Sequence, residues 1–184
     1  MNIYTVKWGE KYNHQHVNKI YEACLEFVTC DFNFFCLTEN PKGLDENITP
    51  LALPGGNKLA KWWNKMYLFD TSIVSQKGEK MFFDIDTILQ QNIDSIVNYE
   101  PEDNLCFVKT WWHDLESSYK NTRHIPHKYT DLNSSVLRWN DELNTEEITE
   151  YFNKHRKQIL WYYRGLDNFF YNRRITKIKL FPIG

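Results

Sequence analysis

The chain has 184 residues, within the size range of one domain and long enough to bury one sizeable core. Its 22 Lys and Arg stand against 24 Asp and Glu, a formal net charge of -2, so the electrostatic footprint of a general nucleic-acid or anionic-membrane binder is missing. Only 7 Gly and 6 Pro argue against low complexity, while aromatic residues reach 16% of the chain, side chains that fill cores and also stack on flat rings and the apolar faces of sugars.

Taken in chain order, Asn2–Trp8 reads as a strand of β-favouring residues that Gly9 ends. Val17, Ile20, Cys24 and Phe27 recur at spacings of three and four and predict an amphipathic helix over Val17–Val28. Asp31–Thr38 is a short, apolar strand of the kind buried on both faces. A loop with Pro41 and Gly43 leads to an extended piece, Ile48–Leu53. After Pro54, Gly55 and Gly56, Asn57 is placed to cap a second amphipathic helix with the stripe Leu59, Trp62, Met66 and Phe69. On this reading Lys58, Lys61 and Lys65 share the opposite, solvated face.

Lys80–Asp84 is a third strand, Asp94–Tyr99 a short helix, Leu105–Thr110 a fourth strand and Asn133–Asn140 a fifth. Asn144 and Glu147 have the form of a capping box for a helix carrying Ile148, Phe152, His155, Ile159 and Tyr163, which Gly165 breaks. One or two helical turns over Asp167–Arg174 and a last strand over Lys177–Phe181 complete the chain. Strands alternating with helices predict a single α/β domain with a mainly parallel central sheet flanked by helices. The four cysteines (Cys24, Cys30, Cys36 and Cys106) lack metal or redox spacing and are expected to be reduced. The opening MNIYTVKWGEKY has no basic lead or long apolar run, and no stretch approaches the ~20 apolar residues that span a bilayer. A soluble cytoplasmic protein with no transmembrane segment is the expectation.

The sharpest chemical signal is MFFDIDTIL, an apolar strand delivering Asp84 and Asp86. In an extended segment residues i and i+2 point to the same side, so both acids address one ligand beyond the carboxyl end of the sheet. Two hard oxygen donors suit manganese or magnesium, whose shells are completed by phosphate oxygens and water. His124 and His127 have the spacing of a zinc pair, but no Cys or acid cluster completes four ligands, and with His113 they read as loop residues.

Two families share this local pattern. Haloacid-dehalogenase-like phosphatases end an apolar strand in Asp-x-Asp-x-Thr/Val; on that resemblance Asp84 is the nucleophile, Asp86 the acid/base, and LCFVKT, ending at Thr110, the second motif. Some 80 residues precede the acids here, Ile88 replaces the Thr or Val, and no downstream acid pair is visible. The second resemblance covers most of the chain through IYTVKWGEKY, FFCLTEN, GGNKLAKWWNKMYLF, FFDIDTIL, LNSSVLRWN and GLDNFFYN, in that order. It is to GT-A nucleotide-sugar glycosyltransferases, most of all the small bacterial and viral relatives of the glycogenin-like and mannosyl-type enzymes.

That resemblance implies a GT-A-like domain over residues 1–184, with a nucleotide-binding half to about residue 90 and an acceptor-side half over 91–184. It implies that Thr5, Val6 and Lys7 cradle the base through backbone groups, that Trp8 or Tyr12 packs on its ring, and that Thr38 and Glu39 border the same pocket. Lys65 stands where relatives keep a basic residue for the donor sugar or diphosphate. Asp86 becomes the main metal ligand, Asp84 a ligand shared with the ribose or sugar, and Ile85 lies between them. Asn133 and Ser134 match the Asn-x-Gly-Val strand that lines the donor sugar, with Ser135 in place of the glycine.

Asp167, with Asn168 beside it, stands where inverting relatives place the base for the acceptor hydroxyl; in a retaining reaction the same residues steady the oxocarbenium-like centre. An alternative for Asp167 is a plain helix cap. The C-terminal histidine that many retaining relatives add to the metal has no counterpart beyond His155. Trp111–Tyr129, with Trp112 and Tyr119, is the expected acceptor groove. The implied activity is metal-dependent transfer of a hexose from a nucleoside-diphosphate sugar, UDP-glucose being one such donor, to a glycan or other hydroxyl acceptor. The phosphatase and a catalytically inactive nucleotide- or glycan-binding domain are the alternatives.

Overall fold

In a computed structural model of the chain, residues 1–54, 59, 61–110 and 130–182 are described. Asn57, Lys58 and the Trp111–Tyr129 groove with His113, His124 and His127 lie outside the described residues. The elements are β1 (Asn2–Lys7), α1 (His14–Phe27), β2 (Asn33–Thr38), β3 (Ile48–Ala52), a 3₁₀ helix (Lys61–Phe69), β4 (Lys80–Phe83), α2 (Asp94–Val97), β5 (Leu105–Lys109), β6 (Leu132–Trp139), α3 (Thr145–Tyr162), α4 (Leu166–Arg173) and β7 (Ile178–Leu180). The strands form one sheet in the order β3-β2-β1-β4-β6-β5-β7. β6 runs antiparallel to both of its neighbours, β4 and β5, while the other strand pairs are parallel. The mainly parallel α/β sheet expected from the sequence is therefore present.

Strand alternation sorts side chains into two cores. Ile3, Phe34, Cys36, Met81 and Phe83 pack with Val17, Ile20 and Cys24 of α1 and Val97 of α2. Tyr4, Val6, Phe35 and Phe82 face the other way, toward Trp63, Met66 and Phe69 of the 3₁₀ helix, Ile148 and Phe152 of α3, and Phe169 and Phe170 of α4. Much of the aromatic surplus is spent here: Tyr4 stacks between Phe35 and Trp139, at ring separations of 5.1 and 6.0 Å. The four cysteines are free thiols, and burial pushes those of Cys24 and Cys36 up to about 12.

Two expectations need correction. The second helix is 3₁₀, not α, and with three residues per turn the buried row is Trp63, Met66 and Phe69. Trp62, assigned to the buried stripe, is 45% exposed, and Lys65, assigned to the solvated face, is 6% exposed. The cap of α3 is as expected on one side only: the Asn144 side chain accepts the Glu147 backbone N–H at 3.1 Å, and the two side chains bond to each other at 3.3 Å. Asn144→Ala should therefore lower stability by about 1 kcal/mol, measured by urea unfolding.

Candidate active site

β1 pairs with β2 as far as Lys7 but with β4 only as far as Tyr4, so β1 and β4 part from each other beyond that point, at the carboxyl end of the sheet. A cavity of about 480 Å³ opens there, lined by Trp8, Lys11, Tyr12, Lys61, Trp62, Lys65, Asp84, Ile85 and Asp86. That volume falls in the ~300–1,000 Å³ range of small-molecule sites. A second cavity of about 170 Å³ shares Trp62 and Lys65 with it and adds Ser134, Arg164, Gly165, Leu166, Asp167 and Asn168.

The acid pair does not continue the strand. β4 ends at Phe83, and the Thr87 backbone N–H bonds the Asp84 carbonyl at 2.9 Å, closing a turn. Both acids reach the larger cavity through this turn, not through the i, i+2 geometry of an extended segment, and they differ in surroundings. Asp84 is anchored beside β6, its N–H on the Ser135 carbonyl at 2.8 Å, and its side chain is 23% exposed. Asp86 is exposed and accepts a hydrogen bond from the Tyr12 hydroxyl at 2.8 Å.

Lys65 ties the two cavities together. Its ammonium lies 2.6 Å from Asp84 Oδ2 and donates at 3.2 Å to both the carbonyl and the hydroxyl of Ser134. Ser134 in turn donates its backbone N–H to Asp167 Oδ1 at 3.0 Å. The result is a chain of polar contacts, Asp84–Lys65–Ser134–Asp167, made possible because β6 passes the end of β4 in antiparallel register, with Phe83 opposite Val136. Burial pushes the Asp84 carboxyl up to about 6, against the opposing pull of Lys65 and its hydrogen bond, with Asp86 and Asp167 adding to the rise. Burial also raises Asp167, opposed by the Ser134 hydrogen bond and Lys65.

The other residues singled out from sequence are placed as follows. Trp8 and Tyr12 line the larger cavity. Thr5, Val6 and Lys7 are the last three residues of β1, buried, and their side chains line neither cavity; the Thr5 hydroxyl is fully buried without a hydrogen-bond partner among the described residues. Thr38 accepts the Asn40 N–H at 3.2 Å. Glu39 accepts the N–H of Gly9 at 2.5 Å, and Gly9 turns the chain out of β1 at φ +61, a conformation suited to glycine. Asn133 is engaged by the Ser135 N–H at 2.9 Å and hydroxyl, and Ser134, not Asn133, faces the smaller cavity. Asn168 is buried beside Asp167 on the wall of that cavity.

Lys11 and Arg164 had no forewarning in the sequence, and Lys61 and Trp62 had been given other places. Lys11 holds its ammonium 4.5 Å from the Tyr12 ring centroid, and Lys61 lies 5.4 Å from that of Trp62. Lys61 also enters the 3₁₀ helix at φ +54, a left-handed conformation costing a non-glycine residue roughly 1 kcal/mol or more. The adjacent Trp62–Trp63 pair was the usable signal for Trp62, since neighbours on a helix cannot face the same way.

Two carboxylates and three ammonium groups around one cavity suit a multiply charged anion accompanied by a cation. No group of three or more His, Cys, Asp or Glu side chains is gathered to hold a metal among the described residues. The donor set therefore fits only an ion that takes a minority of its ligands from protein, as magnesium and manganese do when phosphate and water supply the rest.

No family model matches the chain, and no curated protein matches it in sequence. Its fold, in contrast, is shared with solved glycosyltransferases. The galactosyltransferase LgtC, solved in complex with donor and acceptor sugar analogs, superposes with a TM-score of 0.63 at 13% identity, over 98% of this chain and 73% of that one. An active-site mutant of LgtC gives 0.64 at 14% identity, over 98% and 72%. The glycosyltransferase GlyE of Streptococcus pneumoniae TIGR4 gives 0.65 at 12% identity; this chain, 98% covered, spans 45% of that one. The chain has a GT-A-like glycosyltransferase fold. Among the described residues, no helix is long and apolar enough to cross a membrane.

Proposed function

We propose that the chain is a glycosyltransferase that moves a hexose from a nucleoside-diphosphate sugar to a hydroxyl acceptor. The observation that carries this reading is Lys65, whose ammonium contacts Asp84 on one side and the Ser134–Asp167 arm on the other. One lysine thereby borders both a polyanion-sized cavity and a smaller one, the division a nucleotide sugar requires. The small cavity holds about as much as half a dozen waters at ~30 Å³ each, on the order of one sugar ring.

In this reading the base packs against Trp8 or Tyr12, and the diphosphate lies among Lys11, Lys61 and Lys65. Asp86 and the free oxygen of Asp84 would hold manganese or magnesium, which when bound neutralises charge gathering on the departing diphosphate. Lys65 adds a fixed positive charge at the same place. The bond from C1 to the diphosphate oxygen breaks with its electron pair leaving on the diphosphate, the acceptor oxygen bonds C1, and the acceptor proton passes to the departing diphosphate. Asp167 lines the sugar cavity, its carboxylate oriented by the Ser134 backbone N–H. That position favours steadying the positive charge at C1 over deprotonating the acceptor. UDP-glucose is the first donor to try, and a cytoplasmic location is part of the same proposal.

The phosphatase reading requires Thr110 near the phosphate on Asp84. β6 separates β4 from β5, which puts about 10 Å between the two strands and disfavours it. The experiment is a panel of nucleotide sugars with manganese, reading free nucleoside diphosphate. Sugar-dependent release that disappears in Asp86→Ala supports transfer. Hydrolysis of p-nitrophenyl phosphate with magnesium, abolished in Asp84→Asn, would overturn it in favour of a phosphatase, and binding without turnover in favour of an inactive relative.

A further inference from the structure

Trp62 stands where the two cavities meet, 45% exposed, while Trp63 beside it is 6% exposed in the core. Its ring is held in place. The indole N–H donates to the Arg164 carbonyl, and the Cδ1–Nε1 edge rests on Gly165, where an added Cβ would come within 3.1 Å of both atoms. The Gly165 backbone is extended (φ 177), open to any residue, so a side chain there would disturb the seat of the indole and not the chain itself. A large aromatic ring fixed along one edge and left half open inside a cleft is a built surface, unlike an apolar side chain scattered singly on the exterior.

We propose that the open part of the Trp62 indole is the platform on which the acceptor binds, and that the acceptor is a carbohydrate whose apolar ring face stacks on it. The inference rests on the reading of the two cavities as diphosphate and sugar sites. With the transferred sugar beside Asp167, its C1 faces the junction with the larger cavity, and an acceptor hydroxyl arrives at that junction from solvent. A pyranose presents C–H groups on a face and hydroxyls around its rim. Indole matches the face, and the rim hydroxyls stay turned toward solvent and the cleft. A serine hydroxyl or a lipid phosphate has no flat apolar face and would gain little from this ring.

The test is saturation-transfer NMR on the full chain with diamagnetic magnesium and UDP present, and in a parallel sample without nucleotide, using methyl glycosides of glucose, galactose, mannose and N-acetylglucosamine as probes. At least one glycoside should take up saturation at the C–H protons of one ring face. Trp62→Phe should keep that affinity within about 3-fold, and Trp62→Leu should weaken it by about 10-fold or more. Gly165→Ala, which retains the indole but displaces it, should fall between them. Because Trp62 also borders the larger cavity, joint affinity for manganese and UDP can shift in Trp62→Leu but should fall less than the glycoside affinity does.

The proposal is overturned if no glycoside binds the wild-type chain, if Trp62→Leu binds as well as wild type, or if Trp62→Leu loses manganese and UDP to the same extent as the glycoside. Absence of joint manganese and UDP uptake in the wild type would instead remove the diphosphate reading. That result comes from calorimetry and leaves glycoside saturation in the nucleotide-free sample to test the platform by itself.

Discussion

Lys65→Met should lower the unfolding free energy by about 3 kcal/mol and abolish sugar-dependent release of nucleoside diphosphate. Severing a buried ion pair by removing one partner costs roughly 3–5 kcal/mol, because the remaining charge stays desolvated. The lower end applies here since the Asp84 side chain keeps 23% exposure, whereas that of Lys65 has 7%. Two hydrogen bonds to Ser134 are lost as well, and Asp167 loses the nearby positive charge that holds its carboxyl down. The decisive comparison is the double variant Lys65→Met with Asp84→Asn. Removing both charges should restore most of the lost stability while leaving the chain inactive, and urea unfolding of the four members of the cycle measures the coupling directly. A Lys65→Met chain as stable as wild type would mean that the ammonium does not hold the end of β4 against β6.

Asp86→Asn should show the opposite division. Asp86 is exposed, and its hydrogen bond is to the Tyr12 hydroxyl, which an amide oxygen can also accept, so stability should move by no more than about 0.5 kcal/mol. Turnover should nevertheless fall on the order of 10³-fold, the scale of removing a group that neutralises charge on the leaving diphosphate. Steady-state kinetics with excess manganese and thermal unfolding of the same preparation test both halves. An Asp86→Asn enzyme with near-normal turnover would assign the metal-holding role elsewhere.

The paired predictions reflect how unevenly the site could be read in advance. β1, β2 and β4 are legible because each is a short apolar run bounded by polar or turn residues, and α1 because its stripe recurs at three and four from Val17 on, while its first turn, polar from His14 and capped by Asn13, carries no apolar signal. Alternation along β1 sets Thr5 and Lys7 on the face opposite Tyr4, Val6 and Trp8, and of the latter Tyr4 and Val6 are buried in the core, which leaves Trp8, past the end of the strand, to line the cavity. The helix before the acids reads as α in the sequence because Met66 and Phe69 satisfy both a period of 3.0 and one of 3.6. Only burial of Trp63, in place of Trp62, distinguishes them.

The contacts of Lys65 with Ser134, and of Ser134 with Asp167, depend on the register of β6 against β4. These segments are some 50 residues apart, and no local pattern encodes their pairing. Asp84 and Asp86 were legible as a pair for a different reason: two acids after three apolar residues stand out whatever backbone joins them. That a turn, not a strand, presents them becomes visible only with the Thr87 to Asp84 hydrogen bond.

Calorimetric titration of the wild-type chain with UDP, in the presence and absence of manganese, examines the shared premise of these expectations most directly. Uptake of each should be strengthened by the other, and the mutual effect should vanish in Asp86→Asn. Equal UDP affinity with and without the metal, or no uptake of either, would contradict the assignment of the acid turn and its lysines to a metal-accompanied diphosphate.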